Sequence, residues 1–258
     1  MQRRGFLACL AGGALVANEN APTRAAKVVK LFKAPDGHPN ALETAAEGLW
    51  IGDQVTDRAH LVDWRGKLLR TVETESSNTS GIAFGAGFLW MAANGKAYRR
   101  QPKPTDATSG EVLKVDPANG RTVARYPVPG SKGGVHGLEF TEGTLWVTSL
   151  ASQQLTQVDP KDFRVLHQIP VRLNRAHGLA WERGAIWCLH SNHRVIHKLD
   201  ARDGRLLEVV TLAKDDPDPH GLCMRRGKLY YCDAGILPGG KDNESPGAGW
   251  VCRIDLVI

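Results

Sequence analysis

The tripeptide His-Gly-Leu occurs three times, at His136-Gly137-Leu138, His177-Gly178-Leu179 and His220-Gly221-Leu222. Ten residues after each histidine stands an aromatic residue: Trp146, Trp187 and Tyr230. Two Leu-Trp pairs lie upstream, ending at Trp50 and Trp90, and ten residues before them are Asn40 and Ser80. Asn40, Ser80, His136, His177 and His220 therefore anchor five repeats spaced by roughly 40 residues, a period that belongs to arrays of small stacked units.

Each repeat reads as short strands. In the third, His136–Phe140 and Thr144–Ser149 flank the turn Thr141-Glu142-Gly143, and Gln154–Val158 and Val165–Val171 flank Asp159-Pro160-Lys161-Asp162. The alternation of apolar and polar residues is that of half-buried strands. The third strand of every repeat ends in an aspartate (Asp63, Asp116, Asp159, Asp200, Asp255), the residue that caps its own backbone in a turn. From aromatic to aspartate is 13 residues in repeats one, three and four, but 26 and 25 in two and five, so Asn94–Gly110 and Ala234–Gly249 are insertions.

The fold class expected is all-β: a five-bladed β-propeller of four-stranded antiparallel blades. The fifth repeat stops after its third strand, and Lys27–Phe32 forms an unassigned strand ahead of Asn40. Pairing that N-terminal strand with the last blade closes the ring and leaves no free edge. One domain over residues 27–258 is expected, after a linker at 18–26 and a signal peptide at 1–17. Arg3-Arg4 followed by Phe6-Leu7 and the apolar run Ala8–Ala17 resembles a twin-arginine export signal, which implies a periplasmic or secreted protein.

Composition narrows the partners. With 258 residues and 42% hydrophobic content, the chain can bury one good core. No apolar run is long enough to span a membrane. The net charge of +6 includes Arg3 and Arg4, and no aromatic-interleaved basic stripe exists, so nucleic acid is not an expected partner. Arg99, Arg100 and Lys103 read as a solvated loop or as an anion-steering patch. Cys232 and Cys252 fall on neighbouring strands, with either a disulfide or buried thiols open. A monomer binding a small-molecule ligand is expected.

Propeller geometry brings the first residue of each inner strand and the end of each second strand to one channel opening. This gives an inner ring of Asn40, Ser80, His136, His177 and His220, and a second ring of Asp53, Ala93, Ser149, His190 and Asp233. The insertions, which flank blade one, rise over the same face as a wall around Asn40 and Asp53. Imidazoles serve as transition-metal ligands and as general bases near neutral pH. Three on consecutive blades suit a zinc-like ion, whereas aspartates suit calcium or magnesium. The metal-ligand candidates are His136, His177, His220 and Asp233. The proton-transfer candidates are His177 and His190. Asn40, Ser80, Asp53, Ser149 and Asn192 are expected to contact substrate. The competing expectation is that the ring histidines bond neighbouring backbone and seal the channel. Glu43 and Glu139 put carboxylates on the inner strands, as an acid–base couple or an internal pair. His60, His167 and His197 are expected on blade surfaces.

The phrases Ala176-His177-Gly178-Leu179-Ala180-Trp181 and Val195-Ile196-His197-Lys198-Leu199-Asp200 resemble a group of bacterial propellers. That group includes virginiamycin B lyases, gluconolactonase-like lactonases and YVTN/NHL-type propellers. The five-repeat count is similar to that of plant-type glutaminyl cyclotransferases, although their Phe-Thr-Gln-Gly-Leu start is absent. The resemblance implies one divalent ion (Ca, Mg or Zn) at the channel opening and a lactonase or lyase acting on a small polar molecule. By the gluconolactonase pattern Asp53 and Asp233 match an aspartate ligand, and no glutamate matches. By the lyase pattern His177, His190 and His220 stand nearest the functional histidines. The alternative is a non-catalytic propeller that binds a ligand or protein and keeps its histidines for structure.

Overall fold

Strand pairing over two length scales organises the chain. A computed structural model describes residues 21–128, 131, 134–149, 152–237, 241–242 and 249–256. The expected signal peptide at 1–17 and the start of the linker lie outside these residues. Strand β1 covers Thr23–Lys33, so residues 23–26, read from sequence as linker, are already strand. Repeat one folds as β2 (Pro39–Thr44), β3 (Gly48–Asp53), β4 (Ala59–Asp63) and β5 (Leu68–Val72). Repeat two is β6 (Thr79–Gly85), β7 (Phe88–Asn94), β8 (Gly110–Val115) and β9 (Thr122–Pro127). Repeat three is β10 (Val135–Thr141), β11 (Thr144–Ser149), β12 (Gln154–Val158) and β13 (Val165–Pro170). Each of these repeats is one four-stranded antiparallel sheet in chain order.

Repeat four is β14 (Ala176–Glu182), β15 (Ala185–His190), a 3-10 turn at Ser191–His193, β16 (Val195–Asp200) and β17 (Leu206–Thr211). Repeat five is β18 (Leu222–Arg225), β19 (Lys228–Cys232), a minimal hairpin β20 (Ile236–Leu237) and β21 (Lys241–Asp242), and β22 (Trp250–Leu256). These two repeats are joined in one eight-stranded sheet, ordered β14-β15-β16-β17-β1-β22-β19-β18. Strand β1 is the join. Thr23–Ala25 run parallel to Val209–Thr211, and Ala26–Lys33 then pair antiparallel with Leu256–Trp250.

The sheets stack through apolar faces. Five buried clusters lie between successive repeats, and the last of them, with Leu42, Leu49, Ile51, Cys223, Cys232 and Val251, packs repeat five onto repeat one. Trp50, Trp90, Trp146 and Trp187 each sit in a different cluster, so the repeated aromatic is packing between repeats. The first strands touch in the order β2, β6, β10, β14, β18, and β18 returns to β2.

These first strands approach closely enough to exclude a side chain. A Cβ on Gly81 would lie 1.9 Å from the His136 carbonyl oxygen, and one on Gly137 would lie 1.8 Å from that of His177. On Gly178 it would meet Leu222 N at 2.3 Å, and on Gly221 it would meet Ala41 Cα at 2.7 Å. The glycine after each of these anchors is thus fixed by the neighbouring strand's backbone.

The turn aspartates behave as expected: Asp63, Asp116, Asp159 and Asp200 each accept a backbone N–H from two residues on. Among the cysteines, the sequence expectation resolves by register. Tyr231 pairs with Cys252, and Cys232 with Val251, so the two thiols point to opposite faces of the sheet and do not bond. His60 and His197 are buried, against the expectation of blade surfaces. His60 bridges Asp36 and Thr71 at 3.0 and 2.9 Å, and only His167 is half-exposed among the three.

Candidate functional site

The five anchors divide into two behaviours. Asn40 donates from Nδ2 to the Thr79 carbonyl at 3.1 Å, and Ser80 donates to the carbonyl of Val135. Each of these two side chains ties its strand to the backbone of the next repeat, which is a structural role. The three histidines do not repeat that bond. Their rings meet one another: His136 and His177 have centroids 4.4 Å apart, and His177 and His220 are 5.0 Å apart, edge to face. All three are at least 95% buried.

A directional chain runs through them. His220 Nε2 lies 3.1 Å from Asp218 Oδ2, and His220 Nδ1 lies 3.4 Å from His177 Nε2. An ionised Asp218 accepts only, so His220 Nε2 carries a proton; with that single proton on the ring, Nδ1 accepts from His177 Nε2–H. The lone pair of His177 is thereby placed on Nδ1, which has no hydrogen-bond partner. His136 lacks a partner at both ring nitrogens. Buried polar atoms in folded proteins are overwhelmingly satisfied, so a group of unsatisfied ones calls for a ligand or ordered water.

Electrostatics keep the His136 and His177 rings neutral. Burial, then the charges of Arg175 and His220, lower the His136 pKa to about 3. Burial and the neighbouring His136, His220 and Arg175 take His177 well below the ordinary imidazole value. Burial works against the Asp218 carboxylate, but the His220 hydrogen bond and the charges of His220, Arg194 and Arg175 outweigh it and hold its pKa down.

Asp218 and Arg175 escaped the sequence reading. Both occupy the position two residues before an anchor, where the five repeats carry His38, Asn78, Gly134, Arg175 and Asp218. No residue type recurs there. The shared signal is conformational: Asn78, Gly134 and Arg175 have φ of 53°, 111° and 51°.

The second ring does not converge on the histidines. Asp53 accepts the backbone N–H groups of His38, Val55 and Thr56, so its carboxylate is spent on the local turn. Asp233 accepts from the backbone N–H of Asp218 and of Gly235 at 2.8 and 2.7 Å, and so steadies the segment that carries Asp218. His190 shares a sheet face with Ala176, its register partner, and packs against His197 at 4.8 Å, apart from His177. Asn192 is exposed on the 3-10 turn.

The metal expectation meets the same commitments. Asp233 is bonded to backbone, and both nitrogens of His220 are engaged. Among the described residues no group of three His, Cys, Asp or Glu side chains is arranged to hold an ion. Among the described residues, His136 and His177 have no third side chain beside them to hold the divalent ion implied by the resemblance.

The insertion Asn94–Gly110 folds down onto the junction of repeats one and two. Arg100, read as solvated or anion-steering, lies instead between Asp57 and Asp106. The base of the second insertion bonds to residues ahead of repeat one, through Gly249 O to Ala34 N–H and Ala234 O to the His38 ring. Its residues 238–240 and 243–248 lie outside the description.

One turn deeper along the inner strands, Glu43 and Glu139 face each other's charge. Burial lifts Glu43 to about 7 against the N–H groups of Thr44 and Phe84. Burial and then the charge of Glu43 raise Glu139 well above the ordinary carboxyl range. Both pKa values exceed the unfolded ones, so the stability they contribute is complete below about pH 4.5 and is lost as pH rises through the folded values. In urea titrations, Glu43→Gln is therefore expected to abolish a loss of up to about 3 kcal/mol that the parent shows between pH 4.5 and 8. Equal pH slopes in the two proteins would show that burial does not raise the Glu43 pKa.

Comparison with solved structures identifies the fold. Glutaminyl cyclase of Myxococcus xanthus superposes with a TM-score of 0.68 at 12% identity, covering 92% of this chain and all of that one. A streptogramin B lyase gives 0.54 at 11% identity, over 90% of this chain and 98% of that one. Virginiamycin B lyase of Staphylococcus aureus gives 0.52 at 15%, over 88% of this chain and 69% of that one. With its successive four-stranded antiparallel sheets, the chain is a β-propeller. At these identities the likeness concerns fold alone. A comparison with protein-family models finds no match, and one with curated protein sequences finds none either. No helix among the described residues is long and apolar enough to cross a membrane.

Proposed function

We propose that this protein is an exported five-bladed propeller, closed by β1, that binds a small polar molecule over His136, His177 and His220. In this reading His177 takes a proton from the molecule and starts a lyase- or lactonase-type reaction. The cyclic order of inner-strand contacts and the cluster packing repeat five onto repeat one support the five-bladed ring. The Arg3-Arg4 segment supports export.

One observation carries the functional reading. Asn40 and Ser80 bond the next repeat's backbone, whereas His136 and His177 Nδ1, at equivalent anchor positions, stay buried and unpartnered. A purely structural anchor would have copied the first two. The proton received at His177 Nδ1 is compensated along the chain: Nε2–H leans toward His220 Nδ1, and His220 Nε2–H toward Asp218. Asp218 is the positioning residue that fixes both tautomers.

The similar folds name two reactions to assay first, glutaminyl cyclisation and streptogramin B cleavage with quinupristin, and the sequence resemblance adds hydrolysis of a sugar lactone. Turnover of one of these is expected, with His177→Ala lowering kcat by roughly 10²–10⁴-fold, the usual worth of a general base. Asp218→Asn is expected to lower kcat with little change in KM. Full kcat in His177→Ala would remove His177 from the chemistry.

A further inference from the structure

Arg175 is a half-buried cation that makes no salt bridge among the described residues. It sits at the head of β14, two residues before His177, and its charge acts on His136, His177 and Asp218. Asp218, a carboxylate on which its charge acts, is already divided: Oδ1 binds Arg194 at 3.0 Å and Oδ2 binds His220. The guanidinium Nε of Arg175 is buried with no hydrogen-bond partner. Its backbone is held at φ 51°, a left-handed conformation that costs a non-glycine residue free energy. Repeat three fills the equivalent position with Gly134, so the fold itself has no need of a long cationic side chain there.

His136 and the shape of the guanidinium also suit an anion. His136 is 4% exposed and unpartnered at both nitrogens, and can donate from either. A single guanidinium presents a planar two-donor fork, which matches a carboxylate and leaves a phosphate dianion half-neutralised.

We infer that the molecule bound at the histidine cluster carries a carboxylate, and that Arg175 is the residue that holds it. This rests on the reading of the histidines as a binding site. It also resolves a difficulty of that reading. Arg175 is one of the groups that suppress imidazole basicity, so a carboxylate placed on its guanidinium offsets the repulsion and makes His177 a stronger base once substrate is bound. The site thus gains basicity only when it is filled.

The test uses succinate, its neutral isostere succinamide, and inorganic phosphate, titrated at pH 7 into the full chain while the histidine ring nitrogens are followed by NMR. Succinate is expected to shift the His136 and His177 signals saturably and to bind at least tenfold more tightly than succinamide or phosphate. Arg175→Gln is expected to weaken succinate at least tenfold, and Arg175→Lys less. Arg175→Gly relieves the left-handed backbone, so it is expected to keep or raise the melting temperature while losing the succinate preference. Imidazole shifts that persist with equal affinity for succinate and succinamide, or unchanged in Arg175→Gln, would overturn the carboxylate assignment and leave the binding site standing. Tighter binding of phosphate would overturn it too. Silence of the ring signals toward all three probes would overturn both.

Discussion

Gly137→Ala is expected to lower the unfolding free energy by about 3 kcal/mol, although it adds a single methyl group in a strand. The added Cβ falls 1.8 Å from the carbonyl oxygen of His177, and the next nearest atoms are also backbone. No rotamer change can clear it. Strand β10 must back away from β14, and that movement separates His136 from His177. The same substitution at Gly143 is the control. It has a φ of 75° and open space around it, so Gly143→Ala carries only the left-handed backbone cost of about 1 kcal/mol. Urea unfolding of both variants gives the comparison, and equal losses would mean that the first strands are not in backbone contact.

Arg100→Ala is expected to cost about 3–5 kcal/mol, the loss seen when one partner of a buried ion pair is removed. Asp57 is fully buried, and Arg100 Nε donates to it at 2.6 Å. The same guanidinium grips Asp106 with both terminal nitrogens, at 3.0 and 2.6 Å. Asp57 in turn accepts the N–H and the hydroxyl of Thr79, the first residue of β6. Removal of Arg100 leaves the carboxylate without charge compensation and frees the insertion from the junction beneath it. Burial, against Thr79 and Arg100, already raises Asp57 to about 6. A raised folded value means stability that falls as pH climbs through it, and the variant's value lies higher still. Its deficit should therefore be smaller at pH 5 than at pH 8. Arg100→Ala with Asp57→Asn should recover most of the loss. A deficit below about 1 kcal/mol at both pH values would place Arg100 among solvated surface cations.

These two sites mark where sequence reading ended. The repeat spacing located the four-stranded groups and both insertions, because the period-two pattern and turn residues are local signals. The reason for glycine in His-Gly-Leu was not local, since the obstructing atom belongs to the next repeat. Arg100 looked like a loop cation because its partner Asp57 lies 43 residues away. The anchor histidines were legible as a set, but Asp218 and Arg175 were not, because their position is shared in backbone conformation rather than in residue type. His190 was assigned to the same opening by counting from Trp187. Strand alternation with Cys188 puts it on the face toward His197, and the irregularity in β14 between Ala176 and Leu179 separates that face from His177. Asp53 and Asp233 matched a ligand pattern by type, yet aspartates at strand ends turn to their own backbone first.

The dual pairing of β1 has a bearing on biosynthesis. Its antiparallel partner, β22, leaves the ribosome more than two hundred residues later (Val29 lies opposite Arg253). Until then the nascent polypeptide holds a synthesised strand with one edge unsatisfied. A second copy at the same stage offers an equivalent edge. Crowded translation therefore favours exchange of residues 23–33 between molecules, and dilution during refolding favours the monomeric pairing.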